Sequence, residues 1–265
     1  MITSSPGPTA GRTRRRFIQG SGAALVAMAG APLRAQTAAA TPRHVVISLL
    51  GDRINVVYAQ METGSHLDSN VRRSVPDPHG TMDQLALAAV DRAMNTAGLR
   101  GTALLSVAPS PLHEKSDSLF EGGSVVLPAN WVDAIEQSKA PQLLLLTKHR
   151  APTSIPMKNG HLGVGMLNGL GYYVDLDSNI QMIETGHTER GLLASFAYFK
   201  LTLADAHTGS VLKQRNCTAA RAYPVADKTD VVDPWAVLSP TEKVARLRRL
   251  LEGELAREVP ALLEV

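Results

Sequence analysis

The apolar residues of this chain fall into short blocks, and the spacing inside each block predicts its backbone. His44 to Leu50 is almost wholly apolar and rich in β-branched residues, and Ile54 to Ala59 resumes the pattern after Gly51-Asp52-Arg53. Two such runs around a Gly-Asp pair predict two strands joined by a tight hairpin. Residues 60–80 are polar and punctuated by Gly64, Pro76, Pro78 and Gly80, which predicts a long surface loop. Met82, Leu85, Ala89, Ala93 and Ala97 then recur at helical spacing, so the pattern predicts a helix over 81–97. Thr81 with Gln84 three residues on reads as a reciprocal capping box, and Gly98 as the residue that closes the helix.

The second half repeats the alternation. Thr102 to Ala108 predicts a short strand, followed by a Pro-, Ser- and Gly-rich loop up to Pro128. Asn130 is placed to cap a helix over 130–138 carrying Trp131, Val132 and Ile135. The leucine run of Gln142 to Thr147 predicts a strand buried on both faces. Residues 149–169 read as a second long loop, and Gly171 to Leu176 and Ala197 to Ala204 as strands. Phe199, Leu201 and Leu203 share one face of the latter because strand side chains alternate. Asp205 to Gly209 is a turn from which Ser210 to Thr218 returns antiparallel, with Gly209 supplying a positive φ and Asp205 bonding the turn amides. Ser239-Pro240-Thr241-Glu242 combines a cap, a proline in the first turn and a glutamate three residues on, and opens a helix over 240–257 that Pro260 stops. Val244, Leu247, Leu251 and Leu255 form its apolar stripe. The expectation is a single α+β domain over residues 41–265: a mixed or antiparallel sheet, helices packed mainly on one face, and long surface loops.

The N-terminus obeys a different rule. Residues 1–12 are rich in Ser, Pro, Gly and Thr with no periodicity, a composition that predicts disorder. Arg14, Arg15, Arg16 and Phe17 follow, then a modestly apolar run from Gly20 to Pro32 and small residues around Ala35 to Ala40. A basic patch, a short apolar run and a small-residue exit have the order of a cleaved export segment. The run is too short to span a bilayer. The arginines followed by a bulky apolar residue resemble a twin-arginine signal, which implies a chain that folds before export, engages the twin-arginine machinery and works in the periplasm. Residues 1–40 would then be removed, with cleavage after Ala35 or Ala40. The chain carries a net charge of +3, but five arginines of the N-terminal 40 residues account for it. Taking them from 27 basic residues leaves 22 against 24 acidic ones, a net of −2. That excludes the basic footprint of a nucleic-acid partner. Cys217 is the only cysteine, so no intramolecular disulfide forms, and its place in an apolar strand predicts an inert buried thiol.

The hairpin text Leu201-Thr202-Leu203-Ala204-Asp205-Ala206-His207-Thr208-Gly209-Ser210-Val211-Leu212 is similar to a segment of the outer-membrane penicillin-binding-protein activators. The order strand, helix, strand, helix, strand, late hairpin also resembles the α/β fold shared by the curli secretion channel subunit and the N-terminal domain of the Tol translocation protein. The resemblance implies a non-catalytic, partner-binding role in the cell envelope. It covers about a dozen residues of hairpin and carries over no binding residue.

Three constellations hold residue types that do chemistry. Gly51-Asp52-Arg53 sits where a Gly-Asp-Ser hydrolase would place its nucleophile, but arginine cannot attack a carbonyl as an activated hydroxyl would. Gly160, Gly163, Gly165, Gly169 and Gly171 are dense enough for a phosphate loop, yet they run into a predicted strand, where no helix N-terminus meets the phosphate. No cofactor is implied. His66, Asp68, Asp77, His79 and Asp83 fall within one loop and the start of a helix, and such imidazoles and carboxylates are potential metal ligands. His149, His161 and His187 join them only if the fold gathers the loops. The leading expectation is an exported periplasmic accessory or binding protein, non-catalytic and acting through surface loops with an envelope partner. The alternatives are a hydrolase or metal-dependent enzyme built on loops 60–80 and 149–190, and a structural subunit of an envelope assembly.

Overall fold

The computed structural model describes residues 42–60, 68–99, 101–105, 107, 110–158, 160–181, 188–223 and 234–264. Arg14, Arg15, Arg16, Phe17, His66 and His187 lie outside them. The first half of the chain forms β1 (His44–Leu49), β2 (Arg53–Tyr58), β3 (Val71–Pro76), α1 (Thr81–Thr96) and β4 (Thr102–Leu105). Two 3-10 turns, Pro111–His113 and Ser116–Leu119, lead to β5 (Phe120–Glu121), β6 (Ser124–Val125) and α2 (Ala129–Ser138). Then come β7 (Gln142–Lys148), β8 (Arg150–Pro152), β9 (Ile155–Met157), β10 (Gly160–Leu162) and β11 (Met166–Gln181). The chain closes with β12 (Thr188–Asp205), β13 (Val211–Tyr223), α3 (Pro234–Val237) and α4 (Pro240–Leu263).

The architecture is α+β, with a mixed sheet organised on the longest strand, β12. One edge of β12 pairs antiparallel with β13. The other edge is shared: Phe199 to Asp205 pair with β7, and Thr188 to Tyr198 with β11. β7 and β11 therefore lie end to end in one row. β1 runs parallel to β7, and β2 runs parallel to β11, so β1 and β2 form the next row, also end to end. β4, parallel to β1, and β3, antiparallel to β2, make the outermost row.

This corrects the predicted hairpin at Gly51-Asp52. β1 and β2 do not pair; the chain continues in one direction through a break at Leu50 to Asp52. A Gly-Asp pair between β-branched runs fits either outcome locally, and the tertiary partners of the break decide. The expected loop at 60–80 contains β3, whose six residues are all exposed, and the expected loop at 149–169 contains β8, β9 and β10. Two tyrosine hydroxyls hold that second segment down: Tyr198 accepts from the Ser154 amide at 2.9 Å and Tyr173 from the Val164 amide at 3.0 Å. The turn at Asp205 to Gly209 is as expected, with Gly209 at φ 72° and Asp205 Oδ1 accepting from the His207 and Thr208 amides.

Alternation sorts the strands onto two faces. Val46, Leu144, Leu146, Phe199, Leu201 and Leu203 look toward α1 and α4. From α4 they meet Leu247, Leu251, Leu255, Val259 and Leu262, a stripe at helical spacing. Fully burying each such leucine contributes about 1.5–3 kcal/mol. Val45, Ile47, Leu49, Leu143 and Leu145 face the opposite side, where Leu119, Val125 and Ile135 of α2 cover them. The two long helices thus share one face, and the shorter α2 takes the other.

Helix ends differ in part from expectation. Ser239 and Glu242 form the predicted capping box. Pro260 does not stop α4, which runs on to Leu263. A proline in the last turn does break one ladder bond, but the sheet-facing side chains of Val259 and Leu262 hold the backbone helical past it. Neither Thr81 nor Asn130 caps its helix; each lies inside the first turn. Asp77, outside α1, instead accepts from the Met82 amide at 2.8 Å.

Cys217 lies on β13 and is 3% exposed. Burial, with Glu258 and Glu254 nearby, pushes its thiol up to about 12. A thiol so little ionised is a poor nucleophile, so thiol reagents at about pH 8 are expected to label native protein only as it unfolds, against rapid labelling in denaturant.

Candidate functional site

The densest buried polar cluster sits at the break between β1 and β2, where the first turn of α1 comes against the strand. Gly51 is required there by space: a Cβ would lie 2.4 Å from the Asp83 amide nitrogen and 2.8 Å from the Met82 Cβ. That approach puts the Asp83 carboxylate onto the broken strand. Its Oδ1 accepts from the Ser48 hydroxyl at 2.5 Å, the Leu50 amide at 2.9 Å and the Gly51 amide at 3.1 Å. Its Oδ2 is 2.9 Å from His113 Nε2. Since His113 Nδ1 faces the Ser110 amide, which can only donate, the imidazole proton sits on Nε2 and is donated to Asp83. Two strand amides that would otherwise be orphaned by the break are thereby satisfied.

A second pair closes the junction from the other side. The Lys148 ammonium, at the end of β7, is paired with Asp52 Oδ1, and both side chains are 6% exposed. Arg53 Nε bonds Asp52 Oδ2 at 2.8 Å and reaches Glu114 at 2.5 Å. Burial opposes ionisation of Asp52, but Lys148 and then Arg53 outweigh it and hold the carboxyl below its ordinary range. The breaks in two neighbouring rows, β1/β2 and β7/β11, are thus clamped together by one ion pair.

Serine, aspartate and histidine in contact invite a catalytic reading, and the order of contacts decides against it. A nucleophilic serine needs the histidine as its base, with the carboxylate behind it. For Ser48 the carboxylate is central, since the serine proton points at Asp83. Ser110 does stand on the far side of the imidazole, but its Oγ is 3.5 Å from His113 Nδ1, and that nitrogen already accepts from the Ser110 amide at 3.2 Å. Ser48 and Asp83 are each 1% exposed and His113 is fully buried. The trio is a fastening between α1, β1 and the 111–113 turn.

The five residues proposed as metal ligands are not brought together where they are described. Asp68 pairs with Arg72 and with Arg150, Asp77 caps α1, and Asp83 is in the buried fastening. His79 is exposed and its carbonyl accepts from the Gln84 side chain. His66 lies outside the described residues. Among the described residues no group of three His, Cys, Asp or Glu side chains could hold a metal. His161 bonds the Ser154 hydroxyl at 2.9 Å, and His149 is placed near Lys200. The glycine cluster of 160–171 runs through β10 into β11, as its sequence context indicated. Sequence reasoning did not single out Ser48, His113 or Lys148; their partners are 35, 30 and 96 residues away.

No family model matches the chain, and no curated protein matches it. Among solved structures, protein XCC0632 from Xanthomonas campestris, of family model DUF330, is 12% identical, covers 84% of this chain and 88% of its own, and gives a TM-score of 0.37. A protein described as a homolog of neuraminyllactose-binding hemagglutinin from Helicobacter pylori is 7% identical, over 84% of this chain and 83% of its own, at 0.34. The hypothetical protein CT253 from Chlamydia trachomatis is 11% identical, over 84% and 96%, at 0.30. Among the described residues no helix is long and apolar enough to cross a membrane.

Two outcomes are expected. Asp83→Ala strands two amides and an imidazole N–H in the core and should lower the unfolding free energy by about 3–5 kcal/mol in urea titrations, against about 1 kcal/mol for Ser48→Ala. The stabilisation from Asp52, whose folded pKa is depressed, is complete above the ordinary carboxylate value of about 4 and is lost as pH falls through its folded value. Asp52→Asn should therefore flatten the acid limb of the stability curve below about pH 4.

Proposed function

We propose that the protein is a non-catalytic accessory or binding protein of the cell envelope, exported folded by the twin-arginine route and acting in the periplasm through its surface. The observation that carries the reading is the use made of its buried polar groups. Ser48, Asp83, His113, Asp52, Lys148 and Asp77 are all engaged in joining elements. The surface, by contrast, offers an outer strand, β3, whose residues are all exposed, and segments held over the sheet by tyrosine hydroxyls. Arg14, Arg15, Arg16 and Phe17, with the apolar run behind them, support the export route, because that order of charge and small residues suits a signal segment.

Residues 1–45 fused to a reporter that fluoresces only when folded in the cytoplasm are expected to deliver it to the periplasm. Lysine at both Arg14 and Arg15 should leave it in the cytoplasm, and delivery that survives this change overturns the route. A purified chain that hydrolyses ester or phosphate substrates, and loses that activity on Ser48→Ala with its fold intact, overturns the non-catalytic reading.

A further inference from the structure

β3 is the outermost strand beside β2, and the direction of its backbone groups follows from the ladder. The Ala59 amide donates to the Val174 carbonyl at 2.8 Å, so the odd-numbered amides of β2 point to β11 and the even-numbered ones to β3. The Asp77 amide bonds the Asp52 carbonyl at 2.8 Å in the same sense. Ile54, Val56 and Tyr58 stand opposite Val75, Arg73 and Val71, so those three residues of β3 spend their amides and carbonyls on β2. Arg72 and Ser74 turn theirs outward. Pro76, at the end of the strand, has no amide to offer and fixes where an added strand would stop.

The side chains around this edge are cationic. Arg72 and Arg150 share a single carboxylate, Asp68. Arg73 lies over the Tyr58 ring, 5.3 Å from its centroid. Arg73 is flanked on its own face by Val71 and Val75, each 43% exposed. Self-pairing about Arg72 or Arg73 would set like charges opposite each other, which disfavours those registers for a second copy of this chain. An acidic strand meets the opposite situation: two outward amides and carbonyls to pair with, arginines on both faces, and valines against which alternate apolar side chains can pack.

We propose that the outer edge of β3 docks an extended, acidic segment of a partner protein by strand addition. The proposal deepens the binding reading above and rests on it. Backbone bonds to Arg72 and Ser74 give the docking its register, and Arg73 selects the acidic charge, helped by the positive excess that Arg72 and Arg150 leave on their one shared carboxylate.

The test uses the full chain and a dye-labelled ten-residue peptide of alternating valine and glutamate, with the valine and lysine peptide as control. Saturable binding of the acidic peptide is expected, with slowed hydrogen exchange at the Arg72 and Ser74 amides. Ser74→Pro removes an outward amide that the β2 ladder does not use, together with the Ser74 hydroxyl bond to Asn55 Oδ1 at 3.0 Å, which Ser74→Ala removes by itself. Relative to Ser74→Ala, Ser74→Pro should weaken binding about tenfold with little change in melting temperature. The double substitution Arg72→Glu, Arg73→Glu should abolish acidic binding. Absence of acidic-peptide binding overturns the proposal, as does equal binding of the lysine peptide or indifference to Ser74→Pro. Concentration-dependent dimerisation that Ser74→Pro abolishes also overturns it, by assigning the edge to a second copy. None of these failures touches the export or hydrolysis tests, so the two readings fail separately.

Discussion

The carboxylate of Asp83 is the constraint on which the rest of this structure depends. It sits in the first turn of α1 and accepts hydrogen bonds from two amides of a strand that has just broken, from a serine below the break and from a histidine on a separate turn. Without such an acceptor, Leu50 and Gly51 would present buried N–H groups to an apolar interior, at a cost of about 1–3 kcal/mol each. With it, the strand can pause, let α1 pack against Gly51, and resume as β2. A two-row junction follows, and the Asp52–Lys148 pair closes it where β7 gives way to β11 along β12.

That junction also explains why residues suited to chemistry are not arranged for it. Serine, histidine, lysine and aspartates converge because a broken strand needs donors and acceptors matched in the core, and each is consumed in the matching. In the fastening the serine proton already has its acceptor, and the imidazole is fixed in one tautomer by Ser110 and Asp83. The surface is the opposite case. The outward amides of β3 belong to an edge that no described strand pairs and that arginine and proline flank, a pattern complementary to acidic chain.

Local signals were legible wherever the determining contacts lie within a few residues. The Ser239–Glu242 capping box, the turn at Asp205 to Gly209, the stripe of Leu247, Leu251 and Leu255, and the buried leucine strand of β7 all read directly from spacing. The α+β class followed from the alternation of the two periods. The turn at Gly51-Asp52 did not read correctly, because a glycine that reverses a chain and a glycine that admits a helix look the same in text. β3 was missed because Val71-Arg72-Arg73-Ser74-Val75 is exposed throughout, and an edge strand without a buried face has no apolar alternation to display.

By itself, the sequence determined the elements with a buried face, the burial of Cys217, and the confinement of the basic excess to its first 40 residues. Periodicity and composition encode these, since each depends on residues close together in the chain. Tertiary structure alone decided that β1 and β2 share a line, that Asp83 joins Ser48 to His113, and that Lys148 meets Asp52. Those contacts link residues 30 to 96 positions apart, and the energy that selects them is the desolvation of amides and charges that become buried only when the sheet has formed.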